Sequence, residues 1–246
     1  MNHQEYKAFC GCRDRFRAIT EAIQRQLPEL REIQQALIER DGYSYCVDTS
    51  VVYNAALDEV GADADIRLIL VGDNPGRREQ MAENRRYLVG PSGKIAENFF
   101  RQEPALAIDF RKNVIILNKT PVHTPRTAGL KDLCALGGEK IERGIRDSQV
   151  EMARLLADFS RALRVPIWIT GYSEMKKRGI FGTYTAEIQN LIQSGLLDKN
   201  SIFLYRHFSM NQFTIDLRQK ARLYGLGTAE TLHHAGTEYR ERILGI

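Results

Sequence analysis

The side chains of this chain that can do chemistry sit in four short loops. In the first, Gly72-Asp73-Asn74-Pro75-Gly76-Arg77-Arg78, two glycines, a proline and two polar carbonyl-bearing side chains share one turn. Such a turn commonly bonds Asp73 or Asn74 to its own backbone. Chemically, the Asp73 carboxylate can take a proton from water, whereas the Asn74 amide can only orient one. A second stretch, Val89-Gly90-Pro91-Ser92-Gly93-Lys94, leads into a helical pattern. It offers backbone amides, a hydroxyl and an ammonium to an anion at a helix N-terminus. It is not a nucleotide-binding P-loop, because that pattern demands glycine where Leu88 stands and Ser or Thr where Ile95 stands. The other two are Asn118, followed by Lys119-Thr120-Pro121-Val122-His123, and Arg206-His207-Phe208-Ser209-Met210-Asn211. Alone, an Asn at a strand end caps a turn and a single His beside an apolar strand is structural. The structural part is the one expected of His123, His233 and His234.

Each loop follows, or leads into, an element that has to position it. Four apolar runs bounded by turn residues, 66–71, 114–117, 165–170 and 201–205, carry the strand signal. Helix-like patterns at 94–101, 148–163 and 185–192 lie between them, so strand and helix alternate. That alternation predicts a three-layer α/β/α sandwich around a four-stranded, mostly parallel sheet. Ligands of such sheets bind beyond the carboxyl ends of the strands, where three of the four loops fall. Ahead of this unit, apolar residues recur at three- and four-residue steps over 6–40, predicting amphipathic helix that Pro28 divides or kinks and Asp41-Gly42 closes. Residues 51–60 are expected to add a further helical stretch. The chain is thus read as an N-terminal helical extension, 1–60, packed on an α/β domain, 61–246.

Composition narrows the partners. No apolar run is long enough to span a bilayer, and the start Met1-Asn2-His3-Gln4-Glu5 lacks a secretory core, so a cytoplasmic monomer without membrane contact is expected. The spacing of Cys10, Cys12, Cys46 and Cys134 fits neither a zinc site nor a disulfide framework, and no metal or cofactor is expected. Net charge is only +4, yet between Arg67 and Lys131 twelve basic side chains stand against six acidic ones. A local excess beside a candidate site suits a polyanion, although an ordinary solvated face has the same composition.

Taken in order, these loops resemble the uracil-DNA glycosylase superfamily over roughly residues 66–213. Gly72-Asp73-Asn74-Pro75-Gly76 is similar to its first motif, in the form found in the mismatch-specific and single-strand-selective branches. Val114-Ile115-Ile116-Leu117-Asn118 resembles the strand whose terminal Asn reads the base, and Leu88-Val89-Gly90-Pro91-Ser92-Gly93-Lys94 the phosphate-contacting loop of the iron-sulfur branch. Ile169-Thr170-Gly171-Tyr172-Ser173 resembles the third strand and its turn, and His207-Phe208-Ser209 the His-Pro-Ser of the last motif. Phe208 replaces the usual proline. Cys10 and Cys12 are too close together for cluster ligands, and Val122 stands about where another would fall. Leu88 occupies the neighbourhood of a base-stacking Phe, leaving Tyr87, Phe99 or Phe100 as substitutes.

What the resemblance implies is a repair glycosylase that flips uracil, or another damaged or mismatched base, out of DNA and hydrolyses its N-glycosidic bond. Asn118 would read the N3–H and O4 edge of the base. Gly76 would stand where the uracil-specific branch carries a methyl-excluding Tyr, which widens the substrate range. His207 would donate to O2 as negative charge develops there, and water would be handled by Asn74 or Asp73. Ser92, Gly93, Lys94, Ser209, Met210 and Asn211 would contact DNA, with Met210, Asn211 or Phe213 filling the gap left by the flipped base. Two other expectations stand beside this one: a non-catalytic nucleic-acid binder of the same fold, and an unrelated enzyme acting on a phosphorylated small molecule.

Overall fold

The four apolar runs become four strands in the computed structural model, which describes residues 1–246. They are β1 (Leu68–Gly72), β2 (Val114–Asn118), β3 (Ile167–Thr170) and β4 (Ile202–Tyr205). All pair in parallel, in the order β2-β1-β3-β4, so the expected mostly parallel sheet is wholly so. Every residue of β1, β2 and β3 is buried, as a sheet covered on both faces requires.

The covering helices are α1 (His3–Gln26), α2 (Leu30–Arg40), α3 (Pro91–Gln102), α4 (Gly129–Leu163), α5 (Gly182–Gln193), α6 (Gln212–Tyr224) and α7 (Thr228–Leu244). α1, α2 and α5 pack on α4 as one layer. On the opposite face α6 packs on α7, and Phe99 of α3 meets Phe213 of α6 with ring centroids 4.9 Å apart. Asn2 starts α1 with a capping box to Glu5, and Pro28 falls between α1 and α2, as its spacing predicts. One continuous apolar core runs from Phe9 and Phe16 of α1 to Leu244 of α7. No helix is long and apolar enough to cross a membrane.

Two expectations change. The helix read over 148–163 begins at Gly129, with a break at Gly138, whose φ of +66° only glycine adopts readily. The helix expected over 51–60 is replaced by a single antiparallel bridge, Val51 to Val122, and a 3-10 turn, Ala55–Glu59. Val51 and Val52 are β-branched and buried, and the Val52 amide bonds the Pro121 carbonyl instead of continuing a helix.

Candidate active site

Parallel register decides where the first two loops meet, because Gly72 is the Cα partner of Asn118. A Cβ at Gly72 would lie 2.5 Å from Asn118 Oδ1, so glycine is what admits the Asn side chain beside β1. Asn118 is buried and its Nδ2 has no hydrogen-bond partner in the protein. A buried amide donor left unpaired is costly, and sites that receive a polar ligand are where that cost is tolerated.

Asp73 and Lys119 lie directly beyond this pair. Lys119 is completely buried, and its Nζ donates to Asp73 Oδ1 (2.6 Å), the Thr170 carbonyl (2.5 Å) and the Gly72 carbonyl (3.3 Å). Thr127 donates its hydroxyl to the other Asp73 oxygen at 3.1 Å. Asp73, chemically the stronger base of the two expected to handle water, is therefore turned inward with both oxygens engaged. The ammonium ties the ends of β1 and β3 together, and the loop leaving β1 heads for β2 while that leaving β3 heads for β4. That divergence marks the crevice where ligands of open parallel sheets bind. Desolvation lowers the Lys119 pKa, against the opposing pull of Asp73.

Asn74 is oriented by its neighbours. Thr124 gives its hydroxyl proton to the Arg126 carbonyl at 2.8 Å, so its oxygen must accept from Asn74 Nδ2, also 2.8 Å away. Asn74 Nδ2 further approaches the Val122 carbonyl at 3.3 Å, which leaves Oδ1 without a protein donor. The next residue, Pro75, is fixed through its carbonyl by His123 Nδ1 (2.9 Å), while Tyr45 sits on His123 Nε2 (3.0 Å). With a carbonyl on Nδ1, that nitrogen carries the proton and Tyr45 donates to Nε2. Burial pushes the His123 pKa down to about 4, keeping the ring neutral. His123 is structural, and Gln34 of α2 bonds its carbonyl at 2.8 Å and that of Ser50 at 3.0 Å.

Around Gly76 there is open space, since a Cβ there would meet nothing within 4 Å. Its amide donates to Glu79 Oε2 at 3.0 Å, and Leu88 donates to Glu79 Oε1 at 2.8 Å. This buried carboxyl clamps the Asn-Pro-Gly turn to the 88–94 loop, and burial raises its pKa to about 7 against both backbone bonds. Within that loop Leu88 is left-handed, and a Cβ on Gly93 would fall 1.6 Å from the Leu88 carbonyl oxygen. Ser92 and Lys94 sit in the first turn of α3, whose N-cap, Gly90, supplies no side chain. Tyr87, Phe99 and Phe100 do not present a stacking face. Tyr87 is buried with its hydroxyl on the Val52 carbonyl, Phe99 packs on Phe213, and Phe100 stacks against Phe110 and Trp168.

His207 follows β4. Its Nδ1 accepts the Ser209 amide at 3.0 Å, so the proton of the neutral ring belongs on Nε2, which has no partner in the protein. Desolvation lowers its pKa, with Asp73 pulling upward and Lys119 downward. Phe208, in place of the resembled proline, is fully buried and stacked 4.4 Å from Phe213, so an aromatic anchor holds this loop. Phe213 is core and cannot fill a gap in DNA. Met210 and Asn211 are both left-handed, and Met210 is 80% exposed.

Sequence reasoning missed Lys119 and Glu79; their only signals were a lysine directly after the strand-end Asn and a glutamate three residues beyond Gly76. No three His, Cys, Asp or Glu side chains are gathered as metal ligands. A cavity of about 580 Å³ lies away from these loops, against the start of β2. Comparison with protein-family models, curated proteins and solved structures finds no match to the chain.

Proposed function

We propose that this protein is a DNA glycosylase that hydrolyses the N-glycosidic bond of uracil after the nucleotide is flipped from the helix. One observation carries the reading. Among the polar groups left without a protein partner around one sheet edge are Asn118 Nδ2, Asn74 Oδ1 and the Nε2–H of His207. They are a donor for a base edge, an acceptor for water and a donor for developing negative charge.

In this mechanism Asn118 gives Nδ2–H to O4 and accepts N3–H at Oδ1, a pairing that cytosine reverses. As the bond between N1 and C1′ breaks, its electron pair passes to the base and positive charge spreads over the sugar. Neutral His207 donates Nε2–H to O2, stabilising that charge without itself giving up a proton. Water oriented by Asn74 Oδ1 bonds to C1′ and releases a proton, balancing the one the departing base takes up. Asp73 acts by position: paired with Lys119, it fixes the turn that carries Asn74. The open space at Gly76 extends the reading to bases with a substituent at C5.

Engagement of Asp73 by Lys119 favours one other reading, a binder without activity. Incubation with a uracil-containing oligonucleotide, followed by alkali, decides between them. Strand scission that needs both uracil and His207 supports the glycosylase. Binding without abasic sites supports the inert member.

A further inference from the structure

We infer that the cleft between α4 and the loop entering α5 is a second contact surface for the phosphodiester backbone of nucleic acid, apart from the Ser92–Lys94 turn. Only the choice of a nucleic-acid polymer rests on the glycosylase reading. The cleft encloses about 610 Å³ and is lined by Lys131 and Arg146 of α4 and by Lys177 and Arg178 of the loop, with Glu142 its one acid. Arg146 pairs with Glu142 at 2.6 Å, whereas Lys131, Lys177 and Arg178 have no carboxylate partner. Gly182 and Thr183, in the first turn of α5, complete the wall, so the positive end of that helix adds to the three free cations.

Both walls are pinned to the buried ion pair of the site. Thr127, just ahead of α4, donates to Asp73, and Phe181, at the end of the loop, lies 5.0 Å beneath the Lys119 ammonium. The cleft therefore flanks the sheet edge that carries Asn118 and His207. Its cations are exposed and spread over two elements, and the buried polar side chain of the wall, Gln149, is already engaged by the Ile180 carbonyl and the Tyr184 amide, so it is not free to close round a small anion. Exposed, screened charges hold a single phosphate weakly. A polyanion gains from each one, because every neutralised phosphate releases counterions.

The test uses the full chain and a fluorescent uracil-free oligonucleotide, titrated over a range of salt. Replacing Lys131, Lys177 and Arg178 together by Ala is expected to weaken binding and to flatten the plot of log affinity against log salt by about 0.7 to 0.9 per lost contact. Glu142→Gln, which removes the opposing charge, is expected to tighten binding, a gain that misfolding cannot imitate. Parental affinity and slope in the triple variant overturn the inference. So does competition by inorganic phosphate at concentrations equimolar with the oligonucleotide, which marks a small-anion site. Uracil excision is measured in parallel on the same proteins. If His207 variants and parent alike release no uracil while the cleft variants still lose salt-dependent binding, the glycosylase reading fails and this surface stands.

Discussion

Asn118, Asn74 and His207 are expected to divide the work according to when their partners acquire charge. Asn118 meets an edge that exists before reaction, so Asn118→Asp, which replaces the donor with a second acceptor, should weaken binding of an uncleavable uracil analogue. His207→Ala and Asn74→Ala should leave that binding nearly intact and slow single-turnover release of uracil. For His207 the loss is about a hundredfold to a thousandfold, the usual effect of removing a donor to developing negative charge. Equal losses of binding and rate in all three would contradict this division. The Lys119–Asp73 pair makes a separate prediction. Lys119→Met strands a buried carboxylate and should cost about 3 to 5 kcal/mol in urea unfolding, whereas adding Asp73→Leu should recover much of it. A double variant no more stable than the single one would show that the two residues are not coupled.

Among the elements, the loops at the sheet edge are set by close approaches that a single methyl group would break. Gly93→Ala drives a Cβ into backbone, with no flexible side chain to give way, and should cost several kcal/mol; Gly76→Ala, in open space, should be near neutral. Equal thermal stabilities for the two would contradict the folded loop. Glu79 and His123 brace the same turn and titrate with opposite effect. Glu79 has its pKa raised from 4.5 to about 7, so its contribution falls as pH rises through that window; His123, lowered from 6.5 to about 4, contributes more as pH rises. The two offset one another in the parent between about 4.5 and 6.5. Glu79→Gln should unmask the histidine, giving urea midpoints that climb with pH across that range, and a flat profile in this variant would count against the assignment.

These elements were legible to different degrees in the sequence. The strands could be read because a buried parallel strand is a short apolar run between turn residues, and the loops that matter follow from which ends point the same way. The start of α4 was hidden, since Gly137-Gly138 interrupts the helical period. Lys119 was hidden for another reason: nothing in a single sequence distinguishes the rare lysine that is fully enclosed from the common one in water. Nor does spacing reveal that Asp73 turns inward, because that depends on the Thr170 and Gly72 carbonyls converging from two strands.

For the whole molecule, the buried residues of α1 and α2 belong to the same apolar core as the sheet. The Gln34 amide spans the carbonyls of Ser50 and His123, and Tyr45 holds the imidazole that fixes Pro75. The consequence concerns cooperativity. Opening α2 away from the sheet removes the supports of the Asn74 turn in the same event, so the amides of His123 and Thr124 should exchange with deuterium at the rate of the α2 amides, not at that of a surface loop. Gln34→Ala should speed both sets together, by about tenfold for each 1.4 kcal/mol of hydrogen bonding lost. Warmed gradually, the protein should lose the Asn74 turn and its amino-terminal helices in one transition, with no temperature at which the helices have melted and the turn still stands.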